Sequence, residues 1–461
     1  MREPGGTAIT PTRKLGFVMC VALVVGNMIG TGIFQLPRDL APLGWNSVYG
    51  WLATIAGALC LVLVLLKLGR GRADSCAAYS YPAAAFGPGT GFVVAWSYWV
   101  SCWTAYAVFA VAVVQNLAVI WPGLGAPALG APLAVAILWL LTFINCLGVR
   151  EAGKVQVLTV ALKLLPLAGV IFVAFWAVLR GAAAPAAYTS VPIEAGSING
   201  AATLALFAML SFESAMVAGD RVEHPERNVP RATIIGILLT GLIYLLCASA
   251  VTLLLPREAV AGASSPFALF FSTFVSPAAG SIVAIFVAIS ALGALNGTIL
   301  VSAEMPMAAA REGLLPLWLV RLNRQEIPWR IHLLSSGLAT LLVIASYTES
   351  LASLFTFMLL VTTSVSVIFY LAGALAALWL RARGRLEGSV GFILICLAAT
   401  AYCLWAFYGA GIEPTLWSLA MTAVAIPVYL LMRRVKRSSR TAAASPAGSP
   451  GSAAGASARS F

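Results

Sequence analysis

Residues 26–34 read GNMIGTGIF, and this stretch predicts a break in a membrane-spanning helix. It lies within an apolar segment, residues 15–37, that is long enough to cross a bilayer. Three glycines, an asparagine and a threonine at that depth oppose a continuous helix. Lipid cannot satisfy exposed backbone amides and carbonyls, so a broken segment must face protein or a water-filled cavity.

The sixth apolar segment, residues 197–219, contains a second polar interruption. Residues 207–214 read FAMLSFES and place one carboxylate and two hydroxyls at comparable depth. In transporters built from two inverted five-helix repeats, the first and sixth helices correspond, and the substrate binds where both unwind. The alternative for Gly26 and Gly30 is a small-xxx-small face for close helix packing. Because both spans contain a polar interruption, two broken helices are favoured over close helix packing.

The composition excludes an ordinary water-soluble enzyme. Of the 461 residues, 61% are hydrophobic and 10% are charged, whereas soluble domains carry about 25% charged residues. Apolar runs of about 20 residues recur along the chain, which predicts an all-α membrane protein of about twelve transmembrane helices. The predicted spans lie near 15–37, 45–68, 91–120, 131–149, 155–179, 197–219, 231–255, 278–303, 333–347, 352–380, 389–408 and 414–432.

The 28 lysines and arginines, which give a net charge of +12, predict the orientation. With a cytoplasmic N-terminus, Arg38, Arg180 and Arg257 fall in outer loops, Lys163 falls within a span, and the remaining basic residues are cytoplasmic. This is the positive-inside bias of membrane proteins, so the charge does not indicate nucleic acid as a partner. Both termini are expected to be cytoplasmic.

The spans and the polar ends divide the chain into four predicted parts. Residues 1–14 form a cytoplasmic N-terminal arm, and residues 15–380 form a ten-helix inverted-repeat transport core. Residues 389–432 hold two additional transmembrane helices. Residues 438–461 are dominated by Ser, Ala, Gly and Pro, which predicts a disordered cytoplasmic tail.

The cysteines and histidines do not indicate a metal site. The eight cysteines lie mostly in or beside apolar spans without metal-type spacing, which is typical of small core residues. His224 and His332 fall at predicted cytoplasmic loop positions, where a single histidine is usually solvated. We therefore predict neither a bound metal nor another cofactor.

Two charged side chains fall inside predicted spans. Lys163 lies in the fifth span, where an isolated lysine costs roughly 2.5–3.5 kcal/mol. Its expected partners are carbonyls freed by the broken first span, and snorkelling to the surface is the alternative. Glu213 lies in the second interruption, where it could accept a substrate amine or a coupling proton, or act as a structural acid.

Together these segments resemble the amino acid, polyamine and organocation permeases over about residues 12–435. Within that family the best likeness is to bacterial basic amino acid and polyamine exchangers, of the arginine/agmatine, lysine/cadaverine and putrescine/ornithine kind. The segments that carry the resemblance are 26–34, 155–165, 207–213 and 311–316, with support from 98–103, 228–233 and 402–405.

The resemblance implies a leucine-transporter-like 5+5 inverted repeat that works by alternating access. Backbone amides around Ile29 to Gly32 would hold the substrate carboxylate, and carbonyls near Phe207 would face its ammonium. Phe207 matches an aromatic gate, and Lys163 matches a coupling-site lysine of sodium-independent members. The substrate-binding residues that follow from both breaks are Asn27, Ile29, Gly30, Thr31, Gly32, Phe207, Met209, Leu210, Ser211 and Glu213.

The chain also departs from the exchangers that it resembles. Ser211 replaces the usual glycine of the sixth-span break. Tyr106 and Thr298 stand where the arginine/agmatine exchanger has an asparagine and a tryptophan, which contact the guanidinium end of its substrate. Lys163 points toward neutral amino acid carriers, because the matching residue of that exchanger is apolar. The resemblance therefore does not imply specificity for arginine.

We predict a secondary active amino acid transporter of a bacterial cytoplasmic membrane that exchanges its substrates or couples them to protons. A polyamine or amino acid/amine exchanger is the first alternative, although its pocket should supply several acids or an aromatic cage. An intramembrane enzyme lacks its usual motifs here, and a nutrient sensor would need more than a short tail. The expected partners are a small amino acid or amine and the lipid bilayer, and a homodimer is left open.

Overall fold

The computed structural model describes residues 16–69, 77–147, 149–181, 191–213, 222–311, 313–346 and 351–444. Eighteen α-helices account for most of these residues, and the described part of the chain contains no strand. The predicted N-terminal arm and the end of the predicted tail lie outside the described residues.

The helices are numbered α1 to α18 in chain order. They are α1 Phe17–Met28, α2 Gly32–Leu40, α3 Asn46–Gly69, α4 Ala77–Phe86, α5 Pro88–Leu117, α6 Pro127–Leu147, α7 Val149–Leu179, α8 Ala195–Met209, α9 Pro225–Leu254, α10 Arg257–Ala261, α11 Pro266–Phe274, α12 Pro277–Val301, α13 Glu304–Arg311, α14 Trp329–Ser346, α15 Leu351–Ala382, α16 Val390–Ala410, α17 Ile412–Ala423 and α18 Ala425–Ala444.

The predicted multi-span architecture is confirmed. Within the described ranges, nine helical segments are long and apolar enough to cross a membrane, and α1 with α2 forms one further span that is bent by 47°. Two shorter apolar helices, α8 and α14, occupy the predicted sixth and ninth spans. The chain is therefore an all-α, multi-pass membrane protein.

The bend in the first span coincides with the glycine-rich stretch. Helix α1 ends at Met28, and Ile29 follows it in an extended conformation with φ −71° and ψ 95°. Helix α2 begins at Gly32. The short non-helical connection places the broken backbone between two half-helices, as residues 26–34 predict.

Helix α8 also stops before it can cross a bilayer. Its 15 residues span about 22 Å at 1.5 Å per residue, against about 30 Å of hydrocarbon. The Asn46 side chain, at the start of α3, donates to the Pro192 carbonyl at 2.9 Å and accepts from the Glu194 amide at 3.0 Å. Because α3 follows α2 and Glu194 precedes α8, α8 starts on the side of the membrane where α2 ends.

The adjacent ends of α2 and α8 are in close contact. A methyl group added at Gly32 would lie 3.0 Å from the Cα of Ala208 and 3.0 Å from the Cδ1 of Phe207. Glycine is required here because it has no side chain to separate the two helices. The first residue of α2 therefore lies against the last turn of α8, and the two half-helices run in opposite directions.

Helix α6 forms a polar ladder with its neighbours. Trp139 donates to the Thr340 hydroxyl of α14 at 3.1 Å, and the Thr142 hydroxyl lies 2.7 Å from that of Ser336. One further turn along α6, the Asn145 amide donates to the side-chain oxygen of Asn296 in α12 at 2.9 Å. The α6 ladder, defined by Trp139, Thr142 and Asn145, thus links α6 to two helices.

Two expectations outside the spans need correction. His332 is not a solvated loop residue: α14 begins at Trp329, so His332 lies in its first turn, where it is only 3% exposed. His224 is exposed, as expected. Helix α18 continues to Ala444, past the predicted start of the disordered tail at residue 438. The alanines that precede Ser445 favour the helix because alanine has the highest helix propensity.

Candidate functional site

The carbonyl end of α1 is capped by side chains from two other helices. The last four carbonyls of a helix have no partner within it. The Ile29 amide donates to the Val25 carbonyl at 3.0 Å. The Lys163 ammonium of α7 donates to the Gly26 carbonyl, and the Tyr244 hydroxyl of α9 donates to the Met28 carbonyl at 2.8 Å. These donors satisfy carbonyls that lipid would leave unpaired.

Lys163 has the partner that the sequence predicts. It is 2% exposed, so snorkelling to the membrane surface does not occur in this structure. Its contact with Gly26 joins α7 to the break in the first span. The role of Lys163 in coupling stays a prediction.

Tyr244 is a residue of the site that the sequence analysis misses. It is fully buried, and its ring packs edge-on against Trp51 with the ring centroids 5.6 Å apart. No charge or motif distinguishes Tyr244 from the other tyrosines in the spans. Its contact depends on where α9 crosses α1, which the sequence does not show.

The amide end of α2 faces the other side of the break. Within the described residues, the backbone amides of Thr31, Gly32 and Ile33 donate no hydrogen bond. The N-terminus of a helix carries a partial positive charge and binds anions through such amides. The Ile29 amide, which the resemblance assigns to the substrate carboxylate, donates to Val25 instead.

The carbonyl end of α8 lies beside the amide end of α2. The Leu210 amide donates to the Phe207 carbonyl at 3.3 Å, and Leu210 itself is extended. Ser211 follows with φ 72°, a left-handed conformation that costs a non-glycine residue energy. The break after Met209 therefore relies on a strained serine. Residues 214–221, which include Ser214, lie outside the described part of the chain.

The rings of Phe109 and Phe207 lie beside these two helix ends, and two further candidate residues, Tyr106 and Thr298, have hydrogen-bond partners of their own. The rings of Phe207 and Phe109 are 6.2 Å apart, and a methyl group added at Gly30 would lie 3.9 Å from Phe109. The Tyr106 hydroxyl donates to the Ser302 hydroxyl at 2.5 Å. The Thr298 hydroxyl donates to a carbonyl of its own helix at 2.8 Å. Tyr106 and Thr298 are thus hydrogen-bonded within the protein.

Glu213 has a neutral partner. The Tyr370 hydroxyl of α15 donates to its carboxylate at 3.0 Å, and the Tyr370 ring stacks on Phe212 with centroids 5.0 Å apart. Glu213 is 9% exposed. A phenol supplies one hydrogen bond and no positive charge, so the contact satisfies part of the carboxylate without neutralising it.

The exposure of the candidate residues differs between the two sides of the break. Asn27 in α1 and Ser211 after α8 are exposed, whereas Thr31 in α2 is fully buried and Phe207 is nearly so. In this conformation the candidate residues are therefore more exposed on the α1 side of the break than on the α2 side. No group of three or more metal-ligating side chains occurs among the residues that the structure describes.

Comparison with known proteins identifies the family of the chain. A family model described as amino acid permease matches residues 15–431. The chain is 26% identical over 441 residues to the putrescine transporter PotE of Escherichia coli K12, covering 91% of this chain and 96% of that relative. It is 28% identical over 337 residues to a cadaverine/lysine antiporter of the same strain, covering 73% and 76%.

A further relative is the putrescine transporter PotE of Haemophilus influenzae, which is 26% identical over 429 residues. That alignment covers 91% of this chain and 97% of the relative. The family match extends over both broken spans and the lysine of α7. The chain therefore belongs to the amino acid permease family of the amino acid, polyamine and organocation superfamily, and it is a membrane transporter rather than an enzyme.

Proposed function

We propose that the protein transports a zwitterionic amino acid, which binds between the amide end of α2 and the carbonyl end of α8. The observation that carries this proposal is the contact of Gly32 with Ala208 and Phe207. It brings the positive end of one half-helix next to the negative end of another. A zwitterion carries both complementary charges within one small molecule.

The substrate carboxylate accepts hydrogen bonds from the Thr31, Gly32 and Ile33 amides in this arrangement. The ammonium group faces the carbonyls of Ala208 and Met209, which follow the Phe207 carbonyl already bonded to Leu210. Phe207 covers the substrate as the aromatic gate. Asn27 and Ser211, exposed on the α1 side, line the route into the site.

The transport is sodium-independent and is coupled to exchange or to protons. Sodium would need several oxygen ligands in place of its water. Two carbonyls at the break, those of Gly26 and Met28, already accept from Lys163 and Tyr244. The protein resides in a bacterial cytoplasmic (inner) membrane with both termini cytoplasmic, an orientation supported by the distribution of its basic residues.

An exchanger of amino acids and amines is the second candidate function. The relatives are a putrescine transporter and a cadaverine/lysine antiporter, so the family includes carriers of diamines. Glu213 favours a cationic substrate because its carboxylate accepts a hydrogen bond from the neutral Tyr370 hydroxyl, which leaves its negative charge in place. A diamine lacks the carboxylate that the α2 amides would bind.

A paired substrate panel tests the proposal. Purified protein is heated with single amino acids and with their decarboxylated amines, for example lysine with cadaverine and arginine with agmatine. A ligand that binds the folded state raises the unfolding temperature. We expect at least one amino acid to raise it more than its amine, and the same amino acid to exchange in proteoliposomes. Stabilisation by amines alone would replace the first candidate with the second.

A further inference from the structure

Helix α2 carries one polar face, formed by Thr31, Gln35 and Arg38, that continues from the break toward the membrane surface. Spacings of four and three residues place these side chains on the same side of a helix. All three are buried: Thr31 and Gln35 are fully covered and Arg38 is 6% exposed. We call these three residues the outer polar face, because α2 ends on the outer side in the proposed orientation.

The buried amide of Gln35 has no hydrogen-bond partner within the described structure. Both its nitrogen and its oxygen are unsatisfied, and so is the hydroxyl of Thr31 one turn earlier. Most buried polar groups in proteins are hydrogen-bonded, and those that are not need a physical reason. One such reason is a second conformation of the protein, in which the same polar group is hydrogen-bonded to water or to a ligand.

A cavity of about 250 Å³ lies at the outer end of this face. Arg38 lines it, together with Val114 and Gln115 from the last turn of α5 and Ser264 before α11. The Arg38 guanidinium lies 3.4 Å from the Asp39 carboxylate. The cavity is therefore lined by the Arg38 guanidinium, a cation that complements the carboxylate of an amino acid.

We propose that the outer polar face is a substrate-binding step on the outer half of the transport path, closed in this conformation, with Gln35 as its central ligand. An amide both donates and accepts hydrogen bonds, so it can contact the carboxylate or the ammonium group of an amino acid. When the outer side opens, the Gln35 amide gains the partners that it lacks here. This inference rests on the proposed function.

The first test replaces the amide by an apolar side chain of similar size, Gln35→Leu, in proteoliposomes of uniform orientation. Loss of one hydrogen bond to the substrate raises the outer-side KM about 5- to 10-fold. The inner-side KM stays unchanged, and the unfolding temperature does not fall, because the variant no longer buries an unsatisfied amide. Ser290→Ala is the control. It removes a fully buried hydroxyl that, like the Gln35 amide, has no partner among the described residues. It should leave both KM values unchanged.

The second test needs no knowledge of the substrate. Gln35→Cys is treated with a membrane-impermeant thiol reagent from the outer side, and peptide mapping identifies the modified position. We expect modification at position 35. The rate of this modification should fall when the protein is held open on the α1 side. Absence of labelling, or an outer-side KM of Gln35→Leu equal to that of the wild-type protein, overturns this inference. Labelling of Gln35→Cys at position 35, together with wild-type protein that transports neither amino acids nor amines, would overturn the proposed function instead.

Discussion

The two half-helices that stop in mid-membrane differ in which groups donate hydrogen bonds to their carbonyl ends. At the end of α1, Lys163 and Tyr244 donate to the freed carbonyls. At the end of α8, the Leu210 amide of the same segment donates to the Phe207 carbonyl at 3.3 Å. A broken helix in lipid must find partners for its backbone. At the α1 break, side chains of the protein are these partners. At the α8 break, the substrate ammonium is the partner in the proposed function.

Removing the charged cap of α1 should have the largest effect. Lys163→Met leaves the Gly26 carbonyl buried without a donor and should slow uptake in proteoliposomes by about 100-fold or more, since hydrogen bonds to charged groups are the strongest of this kind. The purified protein should still unfold cooperatively. Near-normal transport by this variant would remove Lys163 from the mechanism.

Removing the neutral cap should have a smaller effect. Tyr244→Phe deletes one hydroxyl and leaves the Met28 carbonyl unsatisfied, which should lower kcat/KM about 10-fold. Tyr402→Phe is the matched control, because Tyr402 is also buried and its hydroxyl donates to Thr54 at 3.3 Å, away from the break. Equal losses in the two variants would indicate general destabilisation and not a role at α1.

The next variant tests whether the Phe207 ring covers the substrate at the carbonyl end of α8. Phe207→Ala removes the ring that covers the proposed ammonium position and should raise KM about 5-fold, as expected for loss of a cation–π contact of roughly 1 kcal/mol. The control is Phe172→Ala on α7, where the ring is 70% exposed. An unchanged KM for the Phe207 variant would argue against the gate assignment.

The smallest expected effect concerns the strain at the second break. Ser211→Gly should stabilise the protein by about 1 kcal/mol, because glycine adopts φ 72° without steric cost. Thermal unfolding in detergent measures the difference. Ser211→Ala keeps the strained Cβ and removes the hydroxyl. If both variants shift the unfolding temperature equally, the backbone conformation is not the cause.

The sequence predicts the spans and the first break because both depend on local composition. Apolar length predicts the helices, and glycines with polar residues at 26–34 predict the interruption. The contact of Lys163 with a freed carbonyl could also be expected, since a buried charge needs a partner. The role of Lys163 in coupling stays a prediction.

Tertiary contacts account for what the sequence could not predict. Tyr244 and Gln35 carry no charge, so their importance appears only from what surrounds them. Tyr244 meets a carbonyl, and Gln35 has no hydrogen-bond partner among the described residues. The burial of His332 depends on where α14 begins. The resemblance assigns the Ile29 amide to the substrate, whereas in the structure this amide makes the last hydrogen bond of α1.

The α6 ladder restricts which motions can open and close the protein. Trp139, Thr142 and Asn145 bond to α14 and α12 at successive turns, so sliding α6 along its axis would break all three contacts at once. At about 0.6 kcal/mol for each such bond in a membrane, a slid register is about 20-fold less populated. We therefore expect the three helices to move together as one rigid unit, with the hinges of the transport cycle at the interrupted spans.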